Sequence, residues 1–123
     1  MTHHHQKAKL KKLKNKEFLM SSLTKSLITY ESINTTIKRS KALQRYVEPL
    51  ITWAIKALDP QFTVHASRQI FSKLRDQRQV SKLVKTIAPR LKERKGLGGY
   101  TSVKRTHIRK SDATTMAQIT ILS

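Results

Sequence analysis

The fold is decided by one stretch of the chain, Thr35–Ala54, which reads TTIKRSKALQRYVEPLITWA. Apolar side chains recur in it and just after it at steps of three and four residues, the pattern of a helix with one buried side. They are Leu43, Tyr46, Val47, Leu50, Ile51, Ala54 and Leu58. The opposite side of the same helix carries Lys38, Lys41, Arg45, Thr52 and Lys56. The stretch therefore predicts a helix that packs on its own protein with one face and presents positive charge with the other.

Capping and proline residues indicate where this helix begins, bends and ends. Thr36 or Ser40 can cap its start by accepting a hydrogen bond from a free N–H of the first turn. Pro49 lacks a backbone N–H and presses on the preceding turn, so a kink or a restart is expected there. The residue before a proline avoids the helical region, and Asp59-Pro60 is therefore expected to end the helix.

Three further helices are predicted around the central one. The first covers Glu17–Tyr30, the third covers Thr63–Leu74, and a shorter fourth stops near Pro89. Helical spacing assigns apolar side chains to the inner face of each helix. They are Leu19, Met20, Leu23, Leu27 and Tyr30 in the first helix, Ala66, Ile70, Phe71 and Leu74 in the third, and Val80, Leu83, Val84 and Ile87 in the fourth. Arg90–Gly99 is basic and contains all three glycines of the chain, so we expect a flexible loop there.

Short β-prone segments complete the predicted fold. Ser32–Thr35 is too brief to stand alone and is expected to be an edge or bridging strand. Tyr100–Ile108 alternates weakly and Met116–Leu122 strongly, with Arg109–Ala113 as the turn between them. One face of the last segment carries Ala117, Ile119 and Ile121. The order of elements predicts an α+β fold with about four helices packed on a small sheet of about three strands.

The N-terminal segment differs in composition from the rest of the chain. Between Thr2 and Lys16 it holds no acidic residue and few strongly apolar ones, so it cannot bury enough surface to fold alone. We expect residues 1–16 to be a basic extended arm, either a solvated tail or a segment that orders along phosphates. Residues 17–123 are expected to be a single α+β domain.

Net charge is the strongest functional signal of the composition. The chain holds 26 Lys and Arg against 7 Asp and Glu, a formal net charge of +19. Such a charge repels itself in the compact state and favours a polyanionic partner. Nucleic acid is the leading candidate, because neutralised phosphates release condensed counterions. No membrane partner is expected, since no apolar run approaches the roughly 18 residues of a spanning helix.

No group of residues suited to catalysis or to a cofactor emerges from the sequence. The acidic residues are scattered, and His65 and His107 are isolated. The absence of cysteine excludes disulfides, thiolate zinc sites and cysteine nucleophiles. Gly96–Gly99 precedes a predicted strand, the reverse of the context in which a glycine loop holds nucleotide phosphates. His3-His4-His5 is a weak metal signal without a fourth ligand. We expect no enzymatic activity, cofactor, metal or small-molecule substrate.

Basic side chains are the candidate binding residues. The sequence predicts nucleic-acid binding by Lys7, Lys9, Lys11, Lys12, Lys14 and Lys16 in the arm, by Lys38, Arg39, Lys41 and Arg45 on the central helix, and by Arg90, Arg94, Lys95, Lys104, Arg105 and Arg109 near the C-terminus. Base stacking needs rings at neighbouring positions of a sheet face, and Tyr100 is the only ring in the predicted sheet. Trp53 is interpreted as a core residue. The pattern favours contacts to the nucleic-acid backbone over reading of base edges.

Several pieces of the sequence resemble one known family. The signature helix of bacterial-type large-subunit ribosomal protein seventeen is similar to Thr35-Thr36, Lys41-Ala42-Leu43, Arg45 and Val47-Glu48-Pro49-Leu50-Ile51-Thr52. Further pieces follow in the family's order: Gly98-Gly99-Tyr100-Thr101, Arg109, Asp112-Ala113 and Met116-Ala117. The resemblance runs from roughly Lys7 to the C-terminus.

The resemblance implies a structural component of the large ribosomal subunit. It implies binding to large-subunit rRNA near the polypeptide exit tunnel, beside neighbouring large-subunit proteins. The chain departs from the family at Thr2 and Ser102, where an Arg is usual, at Ser111, where a turn Gly is usual, and at Thr120-Ile121, where Glu-Leu is common. These departures lean slightly towards an organelle, so the mitochondrial matrix and the bacterial cytoplasm both stay open.

Two other functions stay open at the level of the sequence. A DNA-compacting or RNA-chaperone protein would use the same positive charge without one fixed site. An RNA-processing enzyme would need a general acid and base, and the sequence offers no such pair.

Overall fold

Helices and strands follow each other in the order expected for an α+β domain. A computed structural model describes residues 2–93 and 99–122, and for residues 2–14 it describes the backbone alone. Its elements are α1 (Thr2–Tyr30), β1 (Ser32–Thr36), α2 (Ile37–Lys56), α3 (Thr63–Leu74), α4 (Gln77–Lys82), a π-helical turn (Leu83–Ile87), α5 (Ala88–Lys92), β2 (Thr101–Ile108) and β3 (Thr115–Ile121). α4, the π turn and α5 run on without a break, so the described residues form four helical segments and one three-stranded sheet. The predicted α+β fold is confirmed.

The central helix α2 has the buried stripe and the basic face that its spacing predicts. Leu43, Val47, Leu50, Ile51 and Ala54 are buried, whereas the basic side chains opposite them are exposed. Of the two candidate caps, Thr36 holds the position: its Oγ1 accepts a hydrogen bond from the backbone N–H of Arg39 at 3.3 Å. The helix continues through Pro49 to Lys56, so of the two alternatives a restart does not occur, and the kink stays a prediction.

The first helix is longer than its sequence suggests. α1 begins at Thr2, so the prediction of an extended conformation for the arm is wrong for residues 2–16. No proline or glycine interrupts Thr2–Tyr30, and its many Lys and Leu residues favour helix. Met20, Leu27 and Ile28 anchor the C-terminal half in the core. Once a helix is nucleated, each added residue propagates it at little cost. The division at residue 16 into arm and domain stays a prediction.

The last helical segment passes the proline that was expected to stop it. The segment continues through Pro89 to Lys92, so residues 90–92, which were predicted to start a flexible loop, are helical, and residues 94–98 of that loop lie outside the described residues. Pro89 lies in the first turn of α5, where a backbone N–H has no partner in the helix, and the π turn before it changes the hydrogen-bonding register. Two predicted inward residues are also corrected: Tyr30, at the end of α1, is 73% exposed, and Phe71 is 43% exposed because Ile70 and Leu74 take the inner face of α3.

The sheet is antiparallel, in the order β1-β3-β2, with β1 at one edge as expected for this short strand. Ala117, Ile119 and Ile121 of β3 alternate towards the core, as the sequence predicts. The neighbouring strands add Ile33 and Val103, which pair with Ile119 and pack against the same core. The register of β2 against β3 is interrupted between Arg105 and Ile108, beyond which the hairpin is exposed.

A single carboxylate joins α2 to the start of β2. The side chain of Glu48 accepts hydrogen bonds from the backbone N–H of Tyr100 at 3.1 Å, and from the N–H and hydroxyl of Thr101 at 3.0 and 2.8 Å. One turn earlier, the amide of Gln44 donates to the carbonyl oxygen of Thr101 at 3.1 Å. The helix therefore fixes the point at which the chain enters the sheet.

The turn between β2 and β3 accommodates Ser111, at the position where the family that the chain resembles usually has a glycine. Its left-handed residue is Ala113, with a φ of 57°, and Ser111 is not among the residues of positive φ. The N–H of Arg109 donates to the carbonyl of Thr114 at 2.8 Å, and the N–H of Ala113 to the carbonyl of Arg109 at 2.9 Å. The turn therefore does not require a glycine at position 111.

We predict that Glu48→Ala lowers the free energy of unfolding by about 2–4 kcal/mol, because it leaves half-buried donors of Tyr100 and Thr101 without their charged acceptor. Urea unfolding followed by circular dichroism at high salt measures the change. The matched control is Glu93→Ala, which removes an exposed carboxylate and should alter stability by less than about 0.5 kcal/mol. Equal urea midpoints for the two variants would contradict the role of Glu48.

Candidate nucleic-acid interface

A basic groove forms where the start of α2 meets the β2–β3 turn. This groove, of about 590 Å³, is lined by Thr36, Ile37, Lys38, Arg39, Arg109, Thr114 and Thr115. The pairing of Thr36 with Met116 brings the end of β1 next to the start of β3, and the turn follows from there. The fold thus brings together two of the predicted binding groups, Lys38 and Arg39 from α2 and Arg109 from the C-terminal part.

The electrostatics of the basic groove suit an anion. The first N–H groups of a helix have no partner within the helix and carry its partial positive charge. The first turn of α2 holds no acidic residue, and Lys38 and Arg39 are exposed beside it. Thr114 and Thr115 border the groove from the other side. A phosphate placed here would meet two exposed cations and the N–H groups of the helix start that Thr36 does not already bind.

Arg109 is held in place by the turn that carries it. Its guanidinium bonds Asp112 through two nitrogens, with Nε 2.9 Å from Oδ1. This hydrogen bond holds the pKa of Asp112 well below its usual range, assisted by donors of Thr114, and raises the pKa of Arg109. Arg109 therefore contributes a fixed orientation, while Lys38 and Arg39 contribute charge that Asp112 does not neutralise.

A second basic position lies between α1 and α2. Lys16 and Arg45 line a shallow cleft together with Met20, Ala42 and Tyr46. Desolvation, with a smaller effect of the Glu17 charge, raises the pKa of Tyr46, so its phenol stays neutral at physiological pH. The cleft places the last lysine of the predicted arm beside the basic face of α2.

The other predicted binding residues fall into three classes. Lys41, Lys104 and Arg105 are exposed. Arg90 forms an ion pair with Glu31, so most of its charge is used within the chain. Arg94 and Lys95, and the side chains of Lys7, Lys9, Lys11, Lys12 and Lys14, lie outside the described residues.

The acidic residues are engaged inside the protein. Six of the seven accept hydrogen bonds or form ion pairs: Glu17, Glu31, Glu48, Asp59, Asp76 and Asp112. They cap helices, fix turns and join elements, and three of them pair with a cation: Glu17 with Lys73, Glu31 with Arg90 and Asp112 with Arg109. Most exposed lysines and arginines of the described residues therefore have no carboxylate partner. Sequence reasoning found the cations but did not predict which of them pair with a carboxylate, because most of these pairs join residues that are distant along the chain.

Trp53 is half-buried and packs against the core, as the sequence suggests. Its ring meets the edge of His65, with centroids 5.5 Å apart, and Lys56 Nζ lies 5.1 Å from its centre and 5.9 Å from that of Phe62. Sequence reasoning missed this ring-and-cation cluster at the junction of α2 and α3. Among the described residues, no set of three His, Asp or Glu side chains is placed to hold a metal, and no helix could span a membrane.

We predict that Arg109→Ala raises the pKa of Asp112 towards the ordinary value of about 3.9 for aspartate, because the lowering comes first from the Arg109 hydrogen bond. A carboxyl titration by nuclear magnetic resonance measures it, with Arg105→Ala as the control that leaves Asp112 unchanged. A lowered pKa in the folded state means that this pair stabilises above the unfolded pKa and that the contribution is lost as the pH falls through the folded value. An unchanged Asp112 titration in Arg109→Ala would contradict the assignment.

Comparison with known proteins gives one consistent family. The model of the ribosomal protein L17 family matches residues 19–122. Proteins named large ribosomal subunit protein bL17 are 39% identical in Aliarcobacter butzleri, 38% in Wolinella succinogenes and 40% in Sulfurimonas denitrificans. Each of these alignments covers 99% of this chain and 100% of the relative.

These relatives come from bacteria, so they give no support to the slight lean towards an organelle. A family of ribosomal proteins agrees with the prediction that the chain is not an enzyme. The resemblance inferred from the signature helix and the Gly-Gly-Tyr-Thr piece is confirmed, and the chain belongs to the ribosomal protein L17 family.

Proposed function

We propose that the protein is a structural constituent of the bacterial large ribosomal subunit and that it binds large-subunit rRNA. The observation that carries this proposal is the coincidence of family membership with a basic groove built at the start of α2. The relatives bear the name of a large-subunit protein, and the chain aligns with them over nearly its whole length. Its place of action is then the ribosome in a bacterial cytoplasm.

The basic groove is the proposed centre of rRNA binding. Lys38 and Arg39 meet phosphates there, and Arg109 presents its guanidinium from the fixed turn. Lys41 and Arg45 extend the contact along α2 towards Lys16, while Lys104 and Arg105 extend it along β2. Phosphate contacts of this kind position the protein on folded RNA without reading its sequence. Arg90 is proposed as a weaker contributor because Glu31 already pairs with it.

The N-terminal arm, residues 1–16, is proposed to enter the RNA as the basic continuation of α1. Its lysines, Lys7, Lys9, Lys11, Lys12, Lys14 and Lys16, neutralise phosphates as point charges. Arg94 and Lys95 of the C-terminal part join the contact surface in this proposal. The position near the polypeptide exit tunnel and the contacts with neighbouring large-subunit proteins follow from the family resemblance.

A DNA-compacting or RNA-chaperone function is the second candidate, favoured by the many exposed cations outside the basic groove, such as Arg68, Arg78 and Lys85. Such a protein binds through charge alone. Equal affinity for large-subunit rRNA and for random RNA at every salt concentration would support it. A higher affinity for the rRNA that persists at raised salt would support the ribosomal function.

We predict that Lys38→Gln together with Arg39→Gln weakens binding to transcribed large-subunit rRNA and lowers the slope of log affinity against log salt by about two, roughly one per lost phosphate contact. Filter binding at several salt concentrations measures the slope. Cosedimentation of the tagged chain with large subunits should fall in parallel.

The matched control for charge is Arg68→Gln with Lys85→Gln, two exposed cations that do not line the basic groove. Its slope should stay closer to that of the unaltered protein. Equal slopes for the two double variants would contradict the assignment of the groove. Exclusion of the unaltered tagged chain from large subunits would contradict the ribosomal function itself.

A further inference from the structure

The sheet has a second face that the helices do not cover in the described part of the chain. The strand register aligns Ser32, Thr120 and Ser102 in one row across the three strands. The next row of this face consists of Asn34, Gln118 and Lys104. These six residues are called the outer sheet face. They alternate with Ile33, Ile119 and Val103, which point to the core, because successive side chains of a strand take opposite sides.

The chemistry of the outer sheet face is uniform. All six side chains carry a group that can form hydrogen bonds, none is apolar or acidic, and Asn34 and Lys104 are exposed. The hydroxyls of Ser32 and Thr120 lie 3.1 Å apart, so they share one bond and keep further lone pairs for an outside donor. A protein partner would need an apolar centre, whereas these two rows contain none and the half-buried Met116 lies in the row beside them. Its only charge is positive, which complements a polyanion.

The outer sheet face is continuous with the basic groove. Thr36 pairs with Met116 in the row next to Asn34 and Gln118, and the same threonine lines the groove. Because the groove and the sheet face share Thr36, a nucleic-acid strand that places its phosphates in the groove can place the adjoining sugars against the sheet. Lys104 lies at the far end of the middle row and supplies a second point of positive charge.

From these contacts we propose that the outer sheet face binds ribose 2′-hydroxyl groups along the minor groove of an A-form RNA helix. The minor groove of A-form RNA is wide and shallow and displays those hydroxyls, whereas that of B-form DNA is narrow and has none. Serine, threonine, asparagine and glutamine can donate and accept, as a 2′-hydroxyl can. The inference rests on the proposed rRNA binding and names the part of the RNA that this face meets.

The test compares three short duplexes of one sequence: RNA, RNA with 2′-fluoro sugars and DNA. The 2′-fluoro duplex keeps the A form but has no hydroxyl donor. We expect the unaltered protein to bind RNA most tightly. Asn34→Ala with Gln118→Ala should reduce affinity for RNA roughly tenfold and leave affinity for the other two duplexes nearly unchanged. Ser32→Ala with Ser102→Ala, which changes no charge, is the second variant should the first fail to fold, with the same expected pattern.

Two controls separate this inference from the proposed function. Gln69→Ala with Gln77→Ala removes two exposed amides from the helices and should leave the RNA preference intact. The Lys38→Gln and Arg39→Gln variant should weaken binding to all three duplexes and keep their ratio. Equal affinity of the unaltered protein for RNA and 2′-fluoro RNA would overturn the inference. A protein that prefers RNA here yet is excluded from large subunits would support the inference and overturn the ribosomal function.

Discussion

The three hydrogen bonds accepted by Glu48 are the interaction on which the rest of the structure depends. They tie the middle of α2 to Tyr100 and Thr101, the point where the chain enters the sheet. β2 then pairs with β3, β3 pairs with β1, and β1 leads directly into the cap of α2. The carboxylate therefore links α2 to the one end of the sheet that strand pairing does not already connect to it. It also joins the Val-Glu-Pro-Leu-Ile-Thr and Gly-Gly-Tyr-Thr pieces, which are distant in the sequence, into one contact.

The use of acidic residues for contacts within the protein explains how a strongly basic chain can fold and still present positive charge. The acidic residues are few, and six of them act as caps, turn anchors or ion-pair partners within the protein. Local repulsion is thus reduced where elements meet, while Lys38, Arg39 and Lys41 stay exposed. Apart from Arg109, which the Asp112 pair holds in the turn, folding and the proposed binding use different charges, so the partner's phosphates can meet cations such as Lys38 and Arg39 that the fold does not occupy.

Local periodicity predicted what depends on neighbouring residues. The buried stripe of α2, the bounds of α3 and the alternation of β3 followed from spacing, and Thr36 was one of two caps considered. The helical conformation before residue 17 was missed because composition argued against independent folding, whereas these residues continue a helix whose later part packs in the core. The passage through Pro89 was missed because a π turn has no simple sequence signal. The basic groove and the Arg90–Glu31 pair depend on strand register and long-range packing.

The most direct test of the account is ultraviolet cross-linking of the tagged protein in growing cells, followed by isolation of large subunits and mass spectrometry of its peptides. The account predicts large-subunit rRNA nucleotides attached to peptides that contain Lys38 and Arg39 and to those around Arg109, the residues of the basic groove. Recovery of the protein in large subunits with cross-links confined to α3 and α4, away from the groove, would contradict it.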